Sequence, residues 1–462
     1  MEINQQENPA ARTAGGTSTM LIISAVVAAL GSLLFGFDTA VISGTTESLR
    51  AVFGLNDNLL GFTVSIALIG TLFGALLVGR PADWWGRRPV LAVLALLFVV
   101  SSVGCAFAWN WHSLLFFRWL GGVAVGGTSV VSPMYITEIA PPRRRGVLVG
   151  ISQLNIVLGI LAAYFSNYLV AATLGPETAV GWRWMFGVMV VPSLAFLLAV
   201  LAIPESPRWL VKRGRTADAE KVLVRFGHER ITEEIAEIAA SLRPDSATGA
   251  SGLWQKKHLK PFLLAFMIAV FNQLDGINAV IYYTADIFRM AGASKTSALL
   301  QSVIVGATNL VMTVVAMAVI DRVGRKALLL MGSVTFVFSH LLAAWVFHAH
   351  VQGWIVIAAM MGVVGSHAYS QGAVVWVYIN EILPNSIRAS GGAAACFSMW
   401  ALCAVVSWSF PVLAGKSPAT PFLFFAGMMV LQFILVWIYL PETKGASLEE
   451  IQRRLGAGGD GS

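Results

Sequence analysis

Gly79-Arg80-Pro81-Ala82-Asp83-Trp84-Trp85-Gly86-Arg87-Arg88-Pro89 lies between two apolar stretches, and its core returns 238 residues later as Asp321-Arg322-Val323-Gly324-Arg325-Lys326. Two further pairs keep the same order at nearly the same offset. Glu138, Pro141 and Arg145 repeat as Glu381, Pro384 and Arg388, 243 residues on and with one E-x-x-P-x-x-x-R spacing. Pro204-Glu205 repeats as Pro441-Glu442, 237 residues on. Three ordered matches at almost one offset indicate parallel repeats, each closing on the same motif.

The segments between these motifs are apolar. Of 462 residues 57% are hydrophobic and 12% charged, about half the charged share of soluble domains. Stretches long enough to cross a hydrocarbon core of about 30 Å as helices fall near 20–44, 58–80, 89–108, 112–137, 146–171, 183–203, 259–290, 297–321, 326–350, 352–383, 389–413 and 420–441. They are spans one to twelve below. The expected fold is an all-α integral membrane protein: two six-helix bundles facing each other across a central cavity and rocking to expose it alternately. The chain then divides into a polar tail (1–19), a first bundle (20–203), a helical linker (204–258), a second bundle (259–441) and a second tail (442–462). The first tail has one basic residue, Arg12, and no signal-peptide pattern.

If residue 1 is cytoplasmic, the 31 Lys and Arg residues place 25 on the cytoplasmic side and five outside (Arg50, Arg183, Arg289, Lys295 and Lys416), with Arg118 alone inside a span. This bias predicts cytoplasmic termini in a bacterial inner membrane or a plasma membrane. It also accounts for the formal charge of +7 without nucleic acid, since the basic residues sit between spans and not on one face. Cys105, Cys396 and Cys403 fall inside apolar stretches at spacings that suit neither a disulfide framework nor a zinc site.

The motifs carry a resemblance. PESPRWL from Pro204 to Leu210, NQLDGINAVIYY from Asn272 to Tyr283, PETKG from Pro441 to Gly445 and the Gly79–Pro89 stretch occur in order, and over nearly its whole length the chain resembles the sugar porter branch of the major facilitator superfamily. That branch includes bacterial proton-sugar symporters and animal facilitative glucose transporters. The resemblance implies a major facilitator fold, a sugar and protons as substrates, the bilayer as environment and a monomer.

It also assigns residues. The charges at the motif ends (Asp83, Arg87, Arg88, Glu138, Arg145, Glu205 and Arg208, then Asp321, Arg325, Glu381, Arg388 and Glu442) are expected where the bundles meet on the cytoplasmic side, as ion pairs and helix-end caps holding an inner gate shut. A single exposed pair contributes only about 0.2–1 kcal/mol, so a gate needs several, and weak pairs suit a switch between states of similar energy. The bland reading is positive-inside anchoring alone. Trp84 and Trp85 replace a basic residue of the usual pattern and suit the headgroup level.

An ionised side chain at the centre of a span costs on the order of 2.5–3.5 kcal/mol on insertion scales. Asp38 in span one and Arg118 in span four are the two clearest cases. By resemblance Asp38 matches the position where proton-coupled members carry Asp and animal facilitators a neutral amide, and Arg118 matches its basic partner. A carboxylate whose protonation changes with conformation can take a proton on one side and release it on the other. The alternative is a permanent ion pair in a uniporter. Met189 in span six stands where a symporter pattern has a carboxylate, leaving Asp38 to act alone.

A neutral sugar needs donors, acceptors and an apolar face, which amides and indoles supply. Gln153, Asn272, Gln273, Asn278, Asn309, Trp376 and Trp400 match the family's sugar positions, and Tyr282 and Tyr283 fit an outer gate. Gly276 is expected to break span seven over the substrate. Each amide taken alone fits an interhelical packing bond equally well. Several positions depart from the family pattern: Asn272 is shorter than the usual Gln, Met399 replaces an amide, His367 an aromatic, and Asp275 a small hydroxyl residue. Ala373 and Val375 replace prolines flanking Trp376, so span ten is expected to bend less sharply. A glucose-like monosaccharide is favoured, with pentoses, other hexoses and polyols open.

Enzyme signatures are missing. His228-Glu229 lacks a second His four residues on, and Gly415-Lys416-Ser417 has Phe410 where a phosphate loop needs its first glycine. With no nucleotide site, transport is expected to be secondary, with no cofactor. A sugar receptor and a metabolite exporter on the same fold are the remaining readings.

Overall fold

This computed structural model describes residues 19–141, 145–175, 180–241, 253–384, 386–445, 450–451 and 453. Residues 1–18 of the expected first tail, most of the second, part of the linker and the Arg145 side chain lie outside the described residues. The apolar runs are helical, the form that satisfies every backbone group within one segment. Spans one to five are Thr19–Val41, Asp57–Leu77, Arg87–Ala106, Trp111–Ile139 and Arg145–Leu174. Span six runs as Gly181–Val188 and Val190–Ala202. Span seven is Lys256–Leu274, continued by Ile277–Tyr282 and Thr284–Met290, and spans eight and nine are Lys295–Val323 and Arg325–His348. Span ten is Trp354–Tyr369 and Gln371–Ile382, followed by spans eleven (Arg388–Lys416) and twelve (Thr420–Tyr439).

Eleven of the twelve are long and apolar enough to cross a membrane as counted. Span ten is not, because it breaks at Ser370 into segments of 16 and 12 residues. The expected gentle bend is therefore corrected. Ser370 leaves helical geometry (φ −113°, ψ −87°), while its hydroxyl donates to the Ser366 carbonyl at 2.5 Å. A serine bonding back one turn competes with the helix ladder, so the break needs no proline. Caps set other ends: Asn110 Oδ1 accepts the Ser113 N–H (2.8 Å) and Ser113 Oγ accepts the Asn110 N–H (3.2 Å) at the start of span four.

Within the first half, spans two and four approach until backbones touch. A Cβ at Gly122 would stand 1.9 Å from the Ala67 carbonyl oxygen, and one at Gly126 2.0 Å from that of Thr71. Membrane helices gain van der Waals contact through such small residues, because lipid offers no hydrophobic drive between them.

Three short helices, Pro207–Lys212, Thr216–Phe226 and Ile231–Ser241, connect the halves. His228 pins them to span four: Nδ1 lies 2.6 Å from Glu234 Oε2 and Nε2 3.2 Å from the Ile139 carbonyl oxygen. Both partners are acceptors, so the imidazolium satisfies both. Burial opposes that charge, but the hydrogen bond and charge of Glu234 raise the His228 pKa above its usual value. A raised histidine stabilises below the unfolded pKa of about 6.5 and loses that contribution as pH rises through its folded value. Amide exchange in Ile231–Ser241, corrected for its intrinsic pH dependence, is therefore expected to accelerate above that window in the native protein and not in His228→Gln. Equal curves in the two proteins would remove the clamp.

Candidate functional site: a cavity between the halves

The duplicated motifs build the same cluster twice. In the first half Arg87 forks onto Glu138 (Nε to Oε2 2.9 Å, Nη2 to Oε1 2.8 Å), Asp83 accepts from Arg87 at 3.2 Å, and Glu205 accepts the Arg87 and Arg88 backbone N–H groups at 3.0 and 3.2 Å. In the second, Arg325 meets Glu381 at 3.2 Å and Asp321 at 3.0 Å, and Glu442 accepts the Arg325 and Lys326 N–H groups at 3.0 and 3.1 Å. Tyr135 donates to the Pro204 carbonyl (2.7 Å) as Tyr378 does to that of Pro441 (2.8 Å). Burial raises the Glu205 carboxyl despite the Ser206, Arg87 and Arg88 N–H donors. Arg388 caps its own loop through the Leu383 carbonyl at 3.1 Å, and Arg208 is exposed.

Every one of these pairs lies within one half. Among the described residues no ion pair joins the halves on the motif face, so these pairs do not hold that side shut in this conformation. The clusters brace each half. Arg87 and Glu138 are 7% and 8% exposed, Arg325 and Glu381 12% and 25%, and removing one partner of a buried pair costs about 3–5 kcal/mol. Arg87→Ala is therefore expected to depress the thermal midpoint in detergent clearly more than Arg325→Ala. The reverse order would show that these pairs do not brace the halves through burial.

On the opposite face the halves are joined. Tyr164 OH donates to the Ile281 carbonyl (2.8 Å), Ser65 Oγ to that of Ala404 (3.0 Å) and Trp408 Nε1 to Asn58 Oδ1 (2.8 Å). Thr46 Oγ1 meets Asp286 Oδ1 at 2.9 Å, and Glu47 pairs with Arg289 and, at 3.7 Å, with Lys295. Tyr282 is buried with its hydroxyl on the Thr39 side chain, across the halves. Tyr283 is also buried, stacked 5.1 Å from Phe410 with its hydroxyl on the Ser407 carbonyl (3.0 Å). The sequence singled out the two tyrosines but not the surrounding ionic cluster, whose members sit singly near helix ends far apart in the chain.

Beneath this seal lies a cavity of about 140 Å³. Gln153, Asn272, Gln273, Asn278, Asn309, Trp376 and Trp400 all line it, with Phe35, Thr39, Thr313 and His367 among the remaining wall residues. Span seven breaks as its glycine predicts: Gly276 has φ +79°, and a Cβ there would stand 2.4 Å from the Phe425 ring. The break lets Asn278 Nδ2 reach Gln273 Oε1 (2.7 Å) while Gln273 Nε2 donates to Asn272 Oδ1 (2.8 Å). A chain of amides thus faces the cavity opposite the indoles.

One residue from Thr39, Asp38 accepts from Arg118 Nη1 at 2.9 Å. Asp38 is 7% and Arg118 1% exposed. Arg118 Nε and Nη2 have no hydrogen-bond partner among the described residues, and its guanidinium lies 5.6 Å from the Phe186 ring. Met189 is buried.

These features have known counterparts. The family profile described as "Sugar (and other) transporter" matches residues 24–455. The chain is 36% identical over 472 residues to the D-xylose-proton symporter of Escherichia coli K12, covering 94% of this chain and 96% of that protein. It is 36% identical over 438 residues to the arabinose-proton symporter of Bacillus subtilis 168, covering 94% of each. The fold superposes on the inward open conformation of the xylose transporter XylE from E. coli with a TM-score of 0.84 at 34% identity, covering 94% of this chain and 99% of that one. A duplicated all-helical fold, the shared motifs and a match over nearly the full length all agree: the chain belongs to the sugar transporter family of the major facilitator superfamily, multi-pass membrane carriers and not enzymes.

Proposed function

We propose that this carrier imports a monosaccharide, a pentose or a glucose-like hexose, together with a proton by alternating access. The observation that carries the reading is the buried Asp38–Arg118 pair one residue from the wall of an amide- and indole-lined cavity. The amides of Gln153, Asn272, Gln273, Asn278 and Asn309 bind the sugar hydroxyls, and Trp376 and Trp400 cover its C–H faces. The motif face is the cytoplasmic one, carrying the bulk of the Lys and Arg residues, and the carrier acts as a monomer. With the opposite face sealed, the described conformation is inward-facing, the state in which sugar and proton leave for the cytoplasm.

Among the described residues the Arg118 charge has one buried acceptor, Asp38. Protonating Asp38 leaves the guanidinium uncompensated, so the two protonation states favour different packing of spans one and four. Span one also places Phe35 and Thr39 on the cavity wall, which links proton occupancy to the rocking of the halves.

Met189 favours a second reading, since without a carboxylate there the pair could be structural and the protein a facilitator. Uptake of labelled monosaccharides by purified protein in proteoliposomes, with and without an inward proton gradient, separates them. Accumulation above equilibrium is expected. Equilibration alone would make the protein a facilitator, and no uptake of any sugar would turn attention to export.

A further inference from the structure

One buried ionisable pair has no part in this mechanism. Asp275, fully buried, stands directly before the break at Gly276, and His367 stands three residues before the break at Ser370. His367 Nδ1 lies 2.7 Å from Asp275 Oδ2, Asp275 Oδ1 accepts the Ile277 N–H at 2.9 Å, and the His367 carbonyl accepts the Ser370 N–H at 3.2 Å. The pair therefore ties the two interrupted spans together at their interruptions. His367 Nε2 makes no hydrogen bond among the described residues, and His367 lines the cavity beside Gly372, where a Cβ would stand 3.1 Å from Nε2.

The surroundings fix the charge. Span nine contributes His340, whose Nε2 meets the Asp275 carbonyl oxygen at 2.9 Å, and Phe336. Span eleven contributes Cys403 with Tyr282 of span seven against it, and span twelve contributes Phe425, packed on Gly276 and on His340. Among the described residues the one ion-pair partner of Asp275 is His367. With both imidazole nitrogens protonated the pair is neutral overall; without the second proton a buried anion stands with no countercharge, which is expensive. In the protonated state Nε2–H is a charge-assisted donor on the cavity wall.

We propose that Asp275 and His367 form a second proton site, in the half opposite Asp38, at which the imidazolium donates through Nδ1 to Asp275 and through Nε2 to a hydroxyl oxygen of the bound sugar. The inference rests on the sugar reading of the cavity. Deprotonation turns Nε2 into an acceptor without charge assistance, so sugar binds more tightly at low pH and its binding draws in a proton. His367 is also a specificity element, because it reads a hydroxyl where an aromatic ring could only stack.

The test is equilibrium binding of labelled D-xylose and D-glucose to purified protein from about pH 5.5 to 9, a range bracketing the ordinary histidine value, in an Asp38→Asn background that removes the first site's titration. Affinity for the sugar that binds is expected to fall at least about fivefold across the range, the difference between a charged and a neutral hydrogen bond. Adding His367→Gln is expected to flatten the profile at the weaker, high-pH affinity. A flat Asp38→Asn profile, or a slope surviving in Asp38→Asn/His367→Gln, would overturn the second site and leave the sugar cavity standing. Absence of sugar binding in every protein, wild type included, would overturn the cavity reading and the second site with it.

Discussion

Asp38→Asn abolishes accumulation of sugar against its gradient and leaves exchange of sugar across the membrane in place. The expectation follows from a single hydrogen bond. Arg118 Nη1 donates to Asp38 Oδ1 at 2.9 Å and, among the described residues, its other guanidinium nitrogens have no partner, so Asp38 is the group whose protonation leaves the buried Arg118 charge uncompensated. Asparagine keeps the shape and an acceptor oxygen but cannot carry a proton. Moving one charge across 100 mV is worth about 2.3 kcal/mol, which at 1.4 kcal/mol per decade supports roughly 40-fold accumulation; the variant should reach a ratio of one. Gradient-driven uptake and counterflow in the same proteoliposomes read the two activities separately. Equal accumulation by variant and wild type would sink the coupling role.

Gln273→Ala should produce the largest loss of sugar affinity. Gln273 is the centre of the amide chain, accepting from Asn278 at 2.7 Å and donating to Asn272 at 2.8 Å. Its removal deletes its own bonds to sugar and also strands two neighbours. A neutral hydrogen bond contributes about 0.5–1.5 kcal/mol and a stranded buried partner costs about 1–3 kcal/mol, so affinity should drop by about 10- to 100-fold. Trp376→Ala removes a ring that is 43% exposed on the cavity wall, and should weaken binding by loss of apolar contact. Titration calorimetry on both variants decides the matter, and unchanged affinity in both would remove the proposed site.

The repeat was readable because Asp83, Arg87, Glu138 and Glu205 return in order in the second half, and the structure shows why: each residue has a fixed partner in its own half. The same feature explains what sequence missed. Spacing along the chain says which charges recur but not which residue each one meets. The ionic cluster of Glu47, Arg289 and Lys295 is invisible for the converse reason, being assembled from helix ends more than 200 residues apart. Span seven's break was legible in Gly276 because a positive φ favours glycine. Span ten's was not, because Ser370 breaks a helix only where its hydroxyl turns back onto Ser366. Asp275 and His367 stood out singly as departures from the family pattern, and only the meeting of two broken helices makes them a pair.

The seal on the opposite face has a bioenergetic consequence. Tyr164 and Ser65 bond directly to main-chain carbonyls of the other half, and Tyr282 is buried on Thr39 above Asp38. A file of water needs room and polar partners, and here the Tyr164 and Ser65 hydroxyls are already bonded to protein. A carrier idling in this conformation therefore does not short-circuit the proton-motive force. The cell can keep many copies in its membrane, ready for an intermittent supply, without a standing leak in proportion to their number.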